Sequence, residues 1–134
     1  MFSLIEIKQK IEQLAIQIDA SANQMLPTYG TSKDDGTPYI EVEYSNYFYL
    51  AYDRDTKSIN RKTQDIDELL YWVFAGVTFN MASSYASAHR DPSINYRRIM
   101  FSHQLELLEK LNPLWRKRRE KEIDEILKGS PYSD

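Results

Sequence analysis

The stretch Pro38-Tyr39-Ile40-Glu41-Val42-Glu43-Tyr44-Ser45-Asn46-Tyr47-Phe48-Tyr49-Leu50-Ala51-Tyr52-Asp53 decides the fold. Its polar and apolar residues alternate with a period of two, and Tyr and β-branched residues gather in it, as in half-buried strands. Strands are predicted at residues 38–44, 47–53 and 57–62, with turns at Ser45-Asn46 and around Arg54-Asp55-Thr56. An antiparallel meander follows. Its register matters, because a slip of one residue sends every side chain of a strand to the opposite face. A two-residue loop at Ser45-Asn46 sets Glu41 beside Leu50 and Glu43 beside Phe48, mixing charge with hydrophobe. A three-residue loop, Tyr44-Ser45-Asn46 with Asn46 left-handed, pairs Val42 with Phe48 and Ile40 with Leu50. It leaves Glu43 opposite Tyr47 and Glu41 opposite Tyr49 on an outer face. The second register is expected.

Outward from this centre the period becomes helical. Before it, Leu4, Ile7, Ile11, Leu14, Ile18, Ala22 and Met25 recur at three- and four-residue spacing. They predict one amphipathic helix, with Ser3 and Glu6 as a capping box and Pro27 with Gly30 marking its end. After it, Ile66, Leu69, Leu70, Val73, Phe74, Val77, Met81 and Tyr85 form a stripe that Trp72 and Phe79 widen, predicting a central helix. Its segment from Leu69 to Ala88 carries no charge. That is about the length of a bilayer span, but Thr78, Asn80, Ser83, Ser84 and Ser87 leave it too polar for lipid. A third helix is predicted from about Tyr96 to Leu111, with Met100, Leu107, Leu108 and Leu111 inward. Asn112 and Pro113 open a fourth, in which Trp115, Ile123, Ile126 and Leu127 bury one edge before Gly129. The expected class is α+β: an N-terminal helix, a three-stranded antiparallel meander and three C-terminal helices packed on one sheet face.

With 134 residues, one folded domain spanning 1–134 is expected. Hydrophobic residues at 42% and only four Gly exclude a disordered or collagen-like chain. The absence of Cys removes disulfides, thiol nucleophiles and thiolate zinc sites, and fits a reducing cytoplasm. The first residues show no basic run ahead of an apolar one, so no export signal is read there. The net charge of -3 argues against a nucleic-acid partner. That charge is uneven: residues 1–70 hold seven Lys/Arg against twelve Asp/Glu, and residues 71–134 hold ten against eight. The sheet half is acidic and suits a basic protein partner.

Chemistry-bearing motifs are sparse. The two histidines, His89 and His103, lack the spacing of a metal site, so neither metal nor cofactor is expected. Isolated glycines build no phosphate loop, and no nucleophile triad is present. The run Arg116-Lys117-Arg118-Arg119 is followed by Glu120, Glu122, Asp124 and Glu125, which makes it a charge-laced solvated helix face rather than a phosphate site. Five of the ten tyrosines, Tyr39, Tyr44, Tyr47, Tyr49 and Tyr52, crowd the first two strands. Tyr47 and Tyr49 beside Glu41 and Glu43, with Asp53 and Asp55 at the next turn, compose the face expected to dock a basic protein: rigid aromatic area plus negative charge.

Two resemblances bear on function. Leu70-Tyr71-Trp72-Val73-Phe74, the run from Tyr96 through Leu108, Trp115-Arg116 with Glu122-Ile123, and Pro131-Tyr132-Ser133-Asp134 together resemble a family of bacterial immunity proteins. These belong to polymorphic-toxin and contact-dependent growth-inhibition systems. The resemblance implies a small cytoplasmic protein without enzymatic activity that binds and blocks a cognate toxin domain; it assigns no binding residue. The alternative rests on Arg98 and His103, whose Arg-x4-His spacing resembles the catalytic element of HEPN ribonucleases. Ile99 departs from that family's polar residue after Arg, and the strands depart from its all-helical bundle.

Overall fold

Ser3 opens the chain's first helix as anticipated: its hydroxyl accepts from the Glu6 N–H at 3.2 Å, and the Glu6 carboxylate accepts from the Ser3 N–H at 3.0 Å. This reciprocal cap satisfies two of the orphan donors of α1, Leu4–Gln17. The computed structural model describes residues 1–20 and 26–133. Helix α1 ends earlier than its apolar spacing suggested, with Ile18 as C-cap and Asp19 left-handed at φ +55°. Ala22 and Met25, assigned to its stripe, lie outside the described residues. Ile7, Ile11 and Ala15 form its buried face.

Four strands follow: β1 Thr28–Tyr29, β2 Tyr39–Glu43, β3 Asn46–Asp53 and β4 Thr56–Thr63. The sheet order is β1-β2-β3-β4, with β1 parallel to β2 and the other pairs antiparallel. The three-stranded antiparallel meander is thus corrected to a four-stranded mixed sheet. Two residues are too few to show a period, which is why β1 left no signature in the sequence. Gly30 N–H bonds Ile40 O at 2.8 Å and Thr28 N–H bonds Pro38 O at 3.0 Å, tying β1 to the β2 edge.

The expected β2–β3 register is also corrected. The observed partners are Glu43 with Asn46, Val42 with Tyr47, Glu41 with Phe48, Ile40 with Tyr49 and Tyr39 with Leu50. The turn is Tyr44-Ser45, both left-handed at φ +51° and +62°, and Asn46 belongs to the strand. Two positive-φ residues make a type I′ turn, whose twist suits a hairpin. Each non-glycine residue held there costs about 1–2 kcal/mol. One position of slip puts Tyr47 and Tyr49, not Phe48 and Leu50, on the face of Ile40 and Val42. Tyr47 can be buried because its hydroxyl finds a partner, accepting from the Phe2 N–H at 2.8 Å. The β3–β4 hairpin has the same design, with Arg54 and Asp55 left-handed, and a bulge at Ala51/Tyr52.

Helices α2 Ile66–Ala88, α3 Tyr96–Leu111 and α4 Pro113–Gly129 complete the α+β fold. Two compact units are present, residues 1–73 and those from Phe74 onward, with the boundary inside α2. In the first, Trp72 stacks on Tyr49 at 6.5 Å between centroids and Arg61 lies over the Trp72 ring. In the second, Ala82, Ala86, Met100, Phe101 and Ile123 form the core, and Trp115 stacks on Phe74 at 6.2 Å. Asn112 caps α4 through the Leu114 N–H at 2.9 Å, with Pro113 in its first turn. Three positions expected in apolar stripes are instead exposed by more than a third: Phe79, Tyr85 and Ile126. Among the described residues, no helix is long and apolar enough to cross a membrane.

Candidate protein-docking surface

The six carboxylates and phenols singled out from the sequence do not share one face. Tyr47 and Tyr49 are core residues, 2% and 6% exposed, so the expectation that they stand on the outer surface is overturned by the register. Burial pushes the Tyr49 phenol up to about 12, with the Arg61 cation pulling weakly the other way. Glu41 is half-buried on the opposite face, flanked by Tyr39 and Phe48. That face is aromatic rather than purely acidic: Tyr39 stacks on Tyr52 at 6.3 Å, and Lys57 lies over Tyr52. Burial, then the Glu41 charge, raise the Tyr39 phenol above its ordinary value.

Glu43, Asp53 and Asp55 are exposed, but at opposite ends of β3. An eight-residue strand puts those ends about 23 Å apart. At the second turn, Asp55 N–H donates to Asp34 Oδ1 at 3.2 Å, and Asp35 bridges Asp53. Lys33, Arg54 and Lys57 interleave with these acids in the sequence, so charge there is mixed.

At the first turn the balance is different. Tyr44 is 84% exposed, the largest exposure of any large hydrophobic side chain described. Thr63 pairs with Tyr47, so the end of β4 and the start of α2 meet this same end of the sheet. Asp65 caps α2 there, its Oδ1 accepting from the Asp67 N–H at 2.9 Å. Glu43, Asp65 and Asp67 are all exposed, with Lys62 a nearby cation and Lys10 over the ring of Phe2, whose N–H bonds Tyr47. Sequence reading missed Tyr44 and Asp65 as surface candidates because it placed Tyr44 in a wider loop and assigned Asp65 no role. The signal available was positional: the only break between two alternating runs must sit at a hairpin tip.

The second unit holds the Arg98/His103 pair. Both line one hollow with Tyr85, Ile94, Ile99, Ser102 and Glu106. Tyr85 is sandwiched, with His103 at 3.8 Å and His89 at 4.0 Å between ring centroids. Burial holds His103 below its ordinary value against the opposing pull of Glu106, with Lys110 and His89 adding to the depression. Arg98 lies over the Tyr132 ring at 4.0 Å. No group of three or more His, Cys, Asp or Glu suited to a metal occurs among the described residues. The basic run of α4 is laced as expected, with Arg116 to Glu120 at 3.4 Å and Arg118 to Glu122 at 3.5 Å.

A family model described as Immunity protein 63 matches residues 44–125, more than half of the chain. The chain belongs to this family of immunity proteins. Searches of curated proteins and of solved structures returned no match. Immunity protein 63 is a family of polymorphic toxin systems, which agrees with the resemblance carried by Leu70 to Phe74 and Tyr96 to Leu108. The matched region of this Immunity protein 63 chain begins at Tyr44 and takes in β3, β4, α2, α3 and most of α4. Glu41 and Glu43 lie just before it, and Asp53 and Asp55 within it.

Proposed function

We propose that this protein binds the toxin domain of its own polymorphic system and neutralises it by occupying the toxin's working surface. Membership of the Immunity protein 63 family carries the reading. The chemistry of the chain supports it: residues 1–70 have an excess of five acids, and the exposed acids Glu43, Asp53 and Asp55 stand at strand ends where a partner can reach them. A toxin domain acting on nucleic acid needs Lys and Arg in its cleft, and acidic surface complements that cleft both in steering and in contact. Blocking requires affinity alone, with no bond made or broken by the immunity protein. Tyr47 and Tyr49 take no part in contact and hold the sheet that presents the acids. The place of action is the cytoplasm of the cell that carries both genes, where a delivered toxin would meet its substrate.

The decisive measurement mixes the purified chain with the toxin domain of the same polymorphic system. A stoichiometric complex and loss of toxin activity are the expected results; an unaffected toxin would refute the reading. The ribonuclease alternative has one observation in its favour, since Arg98 and His103 do line the same hollow. Incubating the purified chain with RNA distinguishes the two. Intact RNA is expected, and degradation abolished by His103→Ala would establish the alternative instead.

A further inference from the structure

Tyr44 breaks two local rules at once. Type I′ turns favour Asn-Gly, because both central residues take positive φ, yet here a bulky aromatic occupies the first position at φ +51°. The same side chain is left 84% exposed, where it gains little from burial in its own fold. Neither sheet packing nor turn chemistry explains a tyrosine there. Residues that violate local preference without a local return are those for which an external contact is the physical account. The turn itself is well held: Asn46 Nδ2 donates to Tyr44 O at 3.0 Å, and Glu43 and Asn46 close the ladder beneath it. A ring on a fixed hairpin tip loses little freedom on binding, which is what makes tyrosine effective as an interface anchor.

The surroundings select the occupant. Glu43, Asp65 and Asp67 are exposed at this end of the sheet, outnumbering the nearby cations Lys62 and Lys10, the latter drawn in over Phe2. An anionic membrane or a nucleic acid would be repelled. A second copy docked through the same patch about a twofold axis would set these acids against themselves. A cleft lined by Lys and Arg on another protein meets both the charge and the ring.

We propose that the β2–β3 turn is the docking tip of this protein, with the Tyr44 ring as central anchor inserted into a basic cleft of the toxin domain. The inference rests on the toxin-neutralising reading and names its contact. It is tested by titrating the full chain, wild type and Tyr44→Asn, with the toxin domain of the same polymorphic system. Asparagine suits the left-handed position, so the variant should keep its fold and melt at or above the wild-type temperature. Its affinity should fall by at least about thirtyfold, the scale of an anchor residue. A folded variant that binds within about threefold of wild type would overturn the anchor while leaving the toxin-neutralising reading intact. A wild-type chain that forms no complex would overturn both. Self-association of the wild type that the substitution abolishes would assign the tip to a second copy and overturn the proposal.

Discussion

Arg119 on α4 donates its Nε–H to the Oε1 of fully buried Gln104 on α3, at 3.0 Å. The amide nitrogen of the same Gln104 donates to Ala75 O at 3.1 Å and Thr78 Oγ1 at 3.2 Å on α2. One side chain therefore joins three helices of the second unit through hydrogen bonds that water cannot replace.

Gln104→Leu should destabilise the protein by about 2 kcal/mol, because it removes three hydrogen bonds at once, even though Thr78 keeps its bond to Phe74 O at 2.6 Å. Arg119→Met should cost less, since its guanidinium also reaches Glu122 and sits nearer solvent. Urea unfolding of the two single variants and the double should give a coupling of at least about 0.5 kcal/mol; simple additivity would show that the contact contributes nothing specific.

Tyr47→Phe removes the acceptor of the Phe2 N–H and nothing else of size. A loss of about 1 kcal/mol is expected, together with faster amide exchange in the first turn of α1. Toxin binding should be unchanged, in contrast to Tyr44→Asn. Weakened binding by a folded Tyr47→Phe protein would return this residue to the contact surface.

Alkaline pH should unfold the protein through its phenols. Burial raises both Tyr49 and Tyr29 to about 12, with the Glu12 charge assisting at Tyr29. The folded state thus holds these protons more tightly than the unfolded chain, whose tyrosines titrate near 10. Their contribution is complete below about pH 10 and is lost as pH rises towards 12. Tyr49→Phe should flatten the fall of the melting temperature across that window; an unchanged slope would place the titration elsewhere.

Charge reversal separates the two ends of the sheet. Glu43→Lys should slow association with the toxin domain at low salt, with the difference shrinking as salt screens it. Asp55→Lys, about 23 Å away along β3, should alter the rate little. Equal effects would mean that long-range field, not local contact, governs docking.

The second half of the fold was legible because its signals are redundant. α3 and α4 each show a helical period, and Asn112 with Pro113 marks both the end of one and the start of the other, so their limits could be read almost to the residue; Asn95, which caps α3, was not read from the sequence. The uncharged run of α2 marked a buried helix by composition alone. The sheet was less legible. Two registers of β2 and β3 were weighed, and the actual one is neither: it requires Tyr44 in a left-handed conformation that propensity disfavours. Taking tyrosine as a surface residue then carried Tyr47 and Tyr49 to the wrong side. Their hydroxyls could be accommodated inside only through a contact such as Phe2 to Tyr47, which joins residues 45 positions apart and leaves no trace in local pattern. The acids of the candidate site were found, but their division between two strand ends depends on that same register.

The paired hairpins give this small sheet two tips with the same backbone strain and different fates. Exchanging Arg54-Asp55 for Asn-Gly should stabilise the fold, because both positions hold a positive φ that Asn and Gly accept at less cost. The identical exchange at Tyr44-Ser45 should stabilise the fold as well and, on the docking proposal, weaken the hold on the toxin domain. Pressure for a firmer fold and pressure for partner binding would then pull that one dipeptide in opposite directions.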